Sequence, residues 1–340
     1  MRNASSASAQ GVKSSPARRT ARDTKPWYKS ITKEKVRRFL LGSKDRQGLL
    51  KPLCIYALLI CIGFIYLYPI LYMISSSFMS LDDLLDSSIK WLPSSFNISN
   101  YTQAAQSMDF FQSLWKSIVI AGVPTLLNLV SCALAGYGLA RFDFKGKMVV
   151  MGVILLNFVL PSQVTMIPTY VLYSNMGILN SLWTFILPSA LGMGINSPIF
   201  ILIFMQFFRQ IPKVLIEAAK IDGAGHFKSF VRVALPSAKP AFITVSLFSF
   251  VWYWNESYLT ELYVHGVMTT SSWTTLVIQL DNFADNYSSY ASTAVSGATS
   301  LNESISMAGT MLSILPLLLL YLVLQRHFVE SIDRTGITGE

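Results

Sequence analysis

The chain has 340 residues, 52% hydrophobic and only 13% charged, with a formal net charge of +9. A soluble domain carries about 25% charged residues, so the composition points to a membrane protein. The positive charge lies outside the apolar runs, which argues against a nucleic-acid partner.

Residues 1–51 are rich in Ser, Ala, Lys and Arg and hold 14 of the 27 basic side chains. They read as a basic cytoplasmic tail, largely disordered and held near anionic lipid headgroups. Uncharged runs then occupy 52–81, 117–140, 148–208, 240–255 and 304–325. A helix crossing ~30 Å of hydrocarbon needs about 20 apolar residues, so 148–208 holds two spans. The divide falls at SNMGILNS, 174–181, where Asn, Gly and Ser cluster. The run beginning at 240 extends past Glu256 to about Tyr263. The result is an all-α membrane protein with six transmembrane helices, near 52–79, 117–140, 148–172, 181–208, 238–263 and 304–325. The first run is too long for a cleavable signal peptide and lacks a small-residue cleavage pattern. Pro161 and Pro168 predict a third span broken or kinked around a pathway.

Basic residues set the orientation. Fourteen precede span one, three lie in RFDFKGK, six in 209–239 and two after the last span, leaving Lys90 and Lys116 opposite. The positive-inside rule puts both termini in the cytoplasm. The external segments include a long polar loop at about 264–303. The expected organisation is the tail 1–51, a membrane domain 52–332 with a cytoplasmic loop at 209–237, and a C-terminal tail 333–340.

Several chemistries lack their residues. The sequence holds no G-x-x-x-x-G-K-[ST] phosphate loop, H-E-x-x-H or Gly-rich dinucleotide fingerprint. Cys54, Cys61 and Cys132 fall inside spans without disulfide or metal spacing and read as packing residues. The expectation is a non-enzyme that binds no cofactor or metal. Ion-coupled transporters place ionisable groups within the membrane; here the spans carry only Glu256 and Glu261, both near one end of span five. A neutral, polar, aromatic pathway suits a polyhydroxylated solute. Asn157, Gln163, Tyr253, Asn255 and Glu256 are the candidate pathway residues, with interhelical hydrogen bonding as the alternative role.

Between spans four and five the stretch from Ile211 to Ala234 reads as two short helices. Pro212 opens the first. Leu215, Ala218, Ala219 and Asp222 share a face, and Gly223 ends the helix. The second helix would bring Phe227, Phe230, Val231 and Ala234 together, and Pro236 and Pro240 mark entry to span five. Small alanines permit close backbone approach, so docking to a cytoplasmic protein fits better than lying on the inner leaflet. The spacing of Glu217-Ala218-Ala219, Gly223 and Val233-x-Leu235-Pro236 resembles the EAA loop of permease subunits of binding-protein-dependent ABC importers. Val233 stands where that pattern prefers Ile. LPSSFNISNY, ALAGYGLARFDFKGK, LPSQVTMIPTYVLYSNMGILNS, WNESYLTEL and LQRHFVESI extend the resemblance over nearly all of 52–332. They are similar to the carbohydrate branch that includes the maltose permease subunit MalG. The basic N-terminal tail is unmatched, and the ending TGITGE departs from the family.

The resemblance implies a type I ABC importer permease fold in a bacterial or archaeal cell membrane. It implies a second homologous permease, two ATP-binding subunits carrying ATP and Mg, and an extracytoplasmic solute-binding protein that delivers a sugar or oligosaccharide. Membrane lipid would surround the spans. By resemblance Glu217, Ala218, Ala219, Asp222, Gly223, Leu235 and Pro236 form the contact with the ATPase: Glu217 as a charged contact, the alanines in a groove, Gly223 at the turn. From the spans alone, a secondary transporter or channel for a small polar solute, or a scaffold, remains open.

Overall fold

The computed structural model of the protein describes residues 42–43, 46–47, 50–86, 88, 91–265, 273–293 and 300–336. The expected tail 1–51 and the final residues 337–340 lie almost wholly outside the described residues. Two-residue strands β1 (Gly42–Ser43) and β2 (Arg46–Gln47) pair antiparallel; every other described element is helical. The chain divides into a unit Met1–Pro69 and a unit Ile70–Glu340, the boundary falling at the proline inside helix α1 (Leu50–Ser77).

In the larger unit, α2 (Leu81–Leu85) starts with a capping box. Ser80 Oγ accepts the Asp83 N–H at 3.1 Å and the Asp83 carboxylate accepts the Ser80 N–H at 3.3 Å. Asp83 also accepts from Ser94 Oγ at 2.5 Å and is buried. These bonds, above all that from Ser94, hold its carboxyl below the usual range. Asn100, in α3 (Ser99–Ser107), donates to the carbonyls of Ser77 and Met79 at 3.0 and 2.9 Å and ties this segment to the end of α1.

Helix α4 (Phe110–Arg141) has 32 residues, about 48 Å at the usual rise. It is long enough to cross a bilayer without a break. The predicted third span is instead two helices, α5 (Lys147–Val159) and α6 (Ser162–Asn175), bent by 103°. Pro161 supplies no N–H and forces extended backbone on Leu160 (ψ 125°). A break around Pro161 was expected; its sharpness was not. Span four is also discontinuous: α7 (Trp183–Ala190), an irregular stretch 191–196, then α8 (Ser197–Gln210). Gly192 and Asn196 there adopt φ of +72° and +54°, left-handed values that glycine and asparagine tolerate best. The expectation of an unbroken helix over 181–208 is therefore corrected. Its sequence signal, LGMGINSP, was read as helix.

The chain turns by 74° into α9 (Lys213–Ile221), then forms α10 (His226–Ser237) and turns by 78° into α11 (Lys239–Asn255). Within α10, Phe230–Ala234 is a π-helical turn. Pro236 cannot donate, and its ring would clash with the carbonyl four residues earlier, which a widened turn relieves. Span five does not continue unbroken to Tyr263. It stops at Glu256 (ψ 90°) and resumes as α12 (Tyr258–Thr260) and a π-helical turn Glu261–His265. The predicted polar loop 264–303 contains α13 (Leu276–Asp281) and α14 (Phe283–Thr293), with Leu276, Ile278, Phe283 and Tyr287 buried. The spacing of Phe283, Tyr287 and Tyr290 carried that signal. The last helix, α15 (Glu303–Gly336), runs beyond the expected span end and into the expected C-terminal tail.

Helix α4 packs on α7, α8 and α11 and belongs to two cores. One gathers Ile120, Phe185, Trp254, Tyr287 and Ile305, and the other Cys132, Tyr137, Phe204, Phe208 and Phe230. Between apolar helices in lipid, close packing rather than water exclusion drives association. Gly136 permits it: a Cβ there would lie 2.7 Å from Phe204 Cβ and 2.9 Å from the Met205 nitrogen.

Candidate functional site

Three helix interruptions meet at one cavity of about 340 Å³. Leu160 comes from the α5–α6 break, Met193 to Asn196 from the α7–α8 break, and Glu256 from the end of α11. Irregular backbone at membrane depth is tolerated where it is buried in protein or lines a cavity. Here α4 and α11 supply the missing partners for the 191–196 segment. Tyr253 Oη lies 2.6 Å from Ser189 Oγ and accepts the Ile195 N–H at 3.0 Å. Ser131 Oγ donates to the Ser189 carbonyl at 2.6 Å, and Asn128 Nδ2 reaches the Ile195 carbonyl at 3.5 Å. Asn128 Oδ1 accepts from Ser197 Oγ at 2.6 Å. Asn128, Ser189, Ser197 and Tyr253 are all buried, so losing one partner would strand another polar group.

Gly194 has no room for a side chain, since an added Cβ would sit 2.4 Å from Tyr253 Oη and 2.7 Å from Ser189 Oγ. Glu256 accepts the Leu259 N–H, in the first turn of α12, at 2.9 Å. The remaining wall is hydroxylic and aromatic. Thr165, Thr169 and Thr184 line the cavity and donate to carbonyls one turn back. Tyr173 and Tyr263 meet edge-on with centroids 5.2 Å apart.

Of the pathway candidates, Asn157, Tyr253 and Glu256 line this cavity, whereas Gln163 and Asn255 do not and are exposed. Gln163 follows Ser162 and precedes Thr165 on α6, and those two face the cavity. The helical turn therefore carries the amide away. The lining residues Thr165, Thr169, Tyr173, Thr184, Gly194 and Tyr263 were not singled out from sequence.

The second candidate region is the helical hairpin 212–237. Pro212 is the residue preceding α9 rather than its first member. At the other end, the Gly223 N–H bonds the Lys220 carbonyl at 3.0 Å and the Ala224 N–H the Ala219 carbonyl at 2.9 Å. That pair of bonds is a Schellman cap, with Gly223 at φ +76°. Glu217, Ala218, Asp222, Gly223 and Pro236 are exposed, and Ala219 and Leu235 half-buried. They are joined at the surface by large apolar groups: Val214, Leu215, Ile221 and Phe227 are 71, 50, 87 and 74% exposed. The expected four-residue cluster on the second helix splits, because Phe230 and Ala234 enter the core while Phe227 and Val231 face out.

The hairpin is fixed to the bundle. Arg141 Nη2 donates to the Ile211 carbonyl at 2.5 Å. The Tyr137 ring meets Phe208 at 5.3 Å and Phe230 at 4.9 Å, and Phe142 meets His226 at 5.1 Å. These contacts join the hairpin to the ends of α4 and α8.

The family described as "Binding-protein-dependent transport system inner membrane component" matches residues 128–334. The polygalacturonan/rhamnogalacturonan transport system permease protein YtcP of Bacillus subtilis is 28% identical over 84% of this chain and 97% of its own. The diacetylchitobiose uptake system permease protein NgcG of Streptomyces coelicolor is 28% identical over 82% of this chain and 86% of its own. Among solved structures, a chain of a bacterial ABC transporter involved in import of the acidic polysaccharide alginate superposes with a TM-score of 0.71. That match is at 22% identity over 82% of this chain and 96% of the other.

Proposed function

The chain belongs to the binding-protein-dependent transport system inner membrane component family, and on that premise we propose that it forms half of an import pathway for a sugar or oligosaccharide. The observation that carries this reading is the convergence of three broken helices on one polar, aromatic cavity, the arrangement by which membrane carriers expose backbone and side chains to a solute. The hydroxyl groups common to the saccharides named for its relatives can be met by hydroxyl, amide and tyrosine walls. Asn157 and Glu256 would meet cargo directly. Tyr253, with its hydroxyl occupied by Ser189 and Ile195, would brace the wall.

The work would enter at the exposed hairpin. Glu217, Ala218, Ala219, Asp222, Gly223, Leu235 and Pro236 would dock on one of two ATP-binding subunits, which hold ATP and Mg. The exposed Val214, Leu215, Ile221 and Phe227 would widen that contact. Closure of the ATPases would move the hairpin, and the Arg141–Ile211 bond and the aromatic contacts would pass the motion to α4 and α8. A second permease would complete the pathway, and an extracytoplasmic binding protein would load it. The setting is a bacterial or archaeal cell membrane with both termini cytoplasmic. Lipid or the second permease would cover the apolar surface of α5, which buries none of its residues.

Purification from native membranes tests the assembly. Stoichiometric recovery of an ATPase and a second permease, with saccharide uptake that stops in Glu217→Lys while assembly persists, is the expected result. Ion-gradient-driven uptake by this chain alone would overturn it in favour of a secondary transporter.

A further inference from the structure

The cavity has an electrostatic sign. Glu256 is its single acidic lining residue, and among the described residues no Lys, Arg or His lines it. The other polar lining groups are the amides of Asn157 and Asn196 and hydroxyls such as those of Ser162, Thr165 and Thr169. Glu256 sits where α11 ends, with its carboxylate held against the Leu259 N–H, so the negative charge has a fixed position. A carboxylate entering this space would lose water, find no counter-charge and face a like charge. An uncharged saccharide would instead satisfy amides and hydroxyls with its own hydroxyls and lay its C–H faces on tyrosine rings.

We propose that Glu256 makes this half of the pathway disfavour carboxylate groups and favour uncharged ones at that point of the wall. The inference rests on the cavity being the solute pathway.

The test reads local charge selectivity without depending on what the binding protein accepts. Cys54, Cys61 and Cys132 are replaced by Ala in the full assembled complex, and a single cysteine is introduced as Ser162→Cys or, separately, Thr165→Cys. Labelling rates are measured with a neutral and a sulfonate-bearing methanethiosulfonate of similar size. Taking the ratio of the two reagents at the same cysteine cancels any effect of Glu256 on the thiol itself, and normalising it to the same reagents on free cysteine removes their intrinsic difference in reactivity. A unit charge about 10 Å away in a medium of intermediate dielectric disfavours the anion roughly tenfold. The neutral reagent is expected to be favoured by that factor, Glu256→Gln to abolish the preference, and Glu256→Lys to invert it. Equal normalised rates in all three backgrounds overturn the charge inference while leaving the pathway intact. If neither reagent reaches either cysteine, the cavity is closed to solvent and the pathway reading itself fails. Should Glu256→Lys not assemble, the Gln variant decides alone.

Discussion

A substitution series at Gly223 separates backbone strain from side-chain bulk as the cause of uncoupling. Its φ of +76° is left-handed, yet nothing lies within 4 Å of an added Cβ. Bulk alone therefore has nothing to strike within this chain. The left-handed conformation costs an ordinary L-residue about 1–2 kcal/mol, whereas asparagine adopts it more readily. If the backbone relaxes instead, the bonds from Gly223 to Lys220 and from Ala224 to Ala219 are lost at about 0.5–1.5 kcal/mol each. The first route weakens the hairpin's docking geometry by a factor of roughly 5–30 and the second by roughly 5–150. The assay is solute imported per ATP hydrolysed by the reconstituted complex, with subunit recovery measured in parallel. The expected order is Gly, then Gly223→Asn, then Gly223→Ala, then Gly223→Val. If Asn were as damaging as Val, contact with the partner surface rather than φ would be responsible. Wild-type coupling in the Ala and Val variants would remove the turn from the mechanism.

Two further outcomes follow from single sites. Gly194→Ala should drive the new methyl into Tyr253 Oη and Ser189 Oγ, displacing the α7–α8 break. Uptake should fall by roughly 5- to 150-fold, since over-packing costs about 1–3 kcal/mol, while assembly measured by subunit recovery persists; unchanged uptake would show that this hydrogen-bonded break is dispensable. Asp83 has a lowered carboxyl pKa through Ser94 and Ser80. Its stabilisation is present above the unfolded-state value and disappears as pH falls through the folded one, below about pH 4. Protease protection of the 80–100 segment should therefore collapse in that range in the wild type and be pH-independent and weaker in Asp83→Asn.

The apolar runs and the helical hairpin between spans four and five could be read from sequence because their signals are local. An uncharged run of suitable length needs no partner to declare itself. Gly223 announces a C-terminal cap because only glycine fits that φ without strain. The residues proposed to dock were picked out by their spacing along the chain, and the structure leaves Glu217, Ala218, Asp222, Gly223 and Pro236 exposed. Where the local signal was ambiguous, the reading failed. LGMGINSP carries two glycines, an asparagine and a proline in an apolar run, and its length alone allowed a continuous helix. Gln163 and Asn255 share the chemistry of Asn157, but the turn of each helix points them elsewhere.

The sequence by itself determined that this chain crosses a membrane and that it has no phosphate loop of its own, and its EAA-like spacing is what motivates the proposal of a docking hairpin. Only the tertiary structure decided that three separate interruptions share one cavity, and that Asn128 and Tyr253 answer the broken turn beside it. It also decided that its one fixed charge is negative. The physical reason is distance along the chain: Asn128, Ile195 and Tyr253 are brought within hydrogen-bonding reach by helix packing, and no local pattern encodes which buried polar group will answer which broken turn.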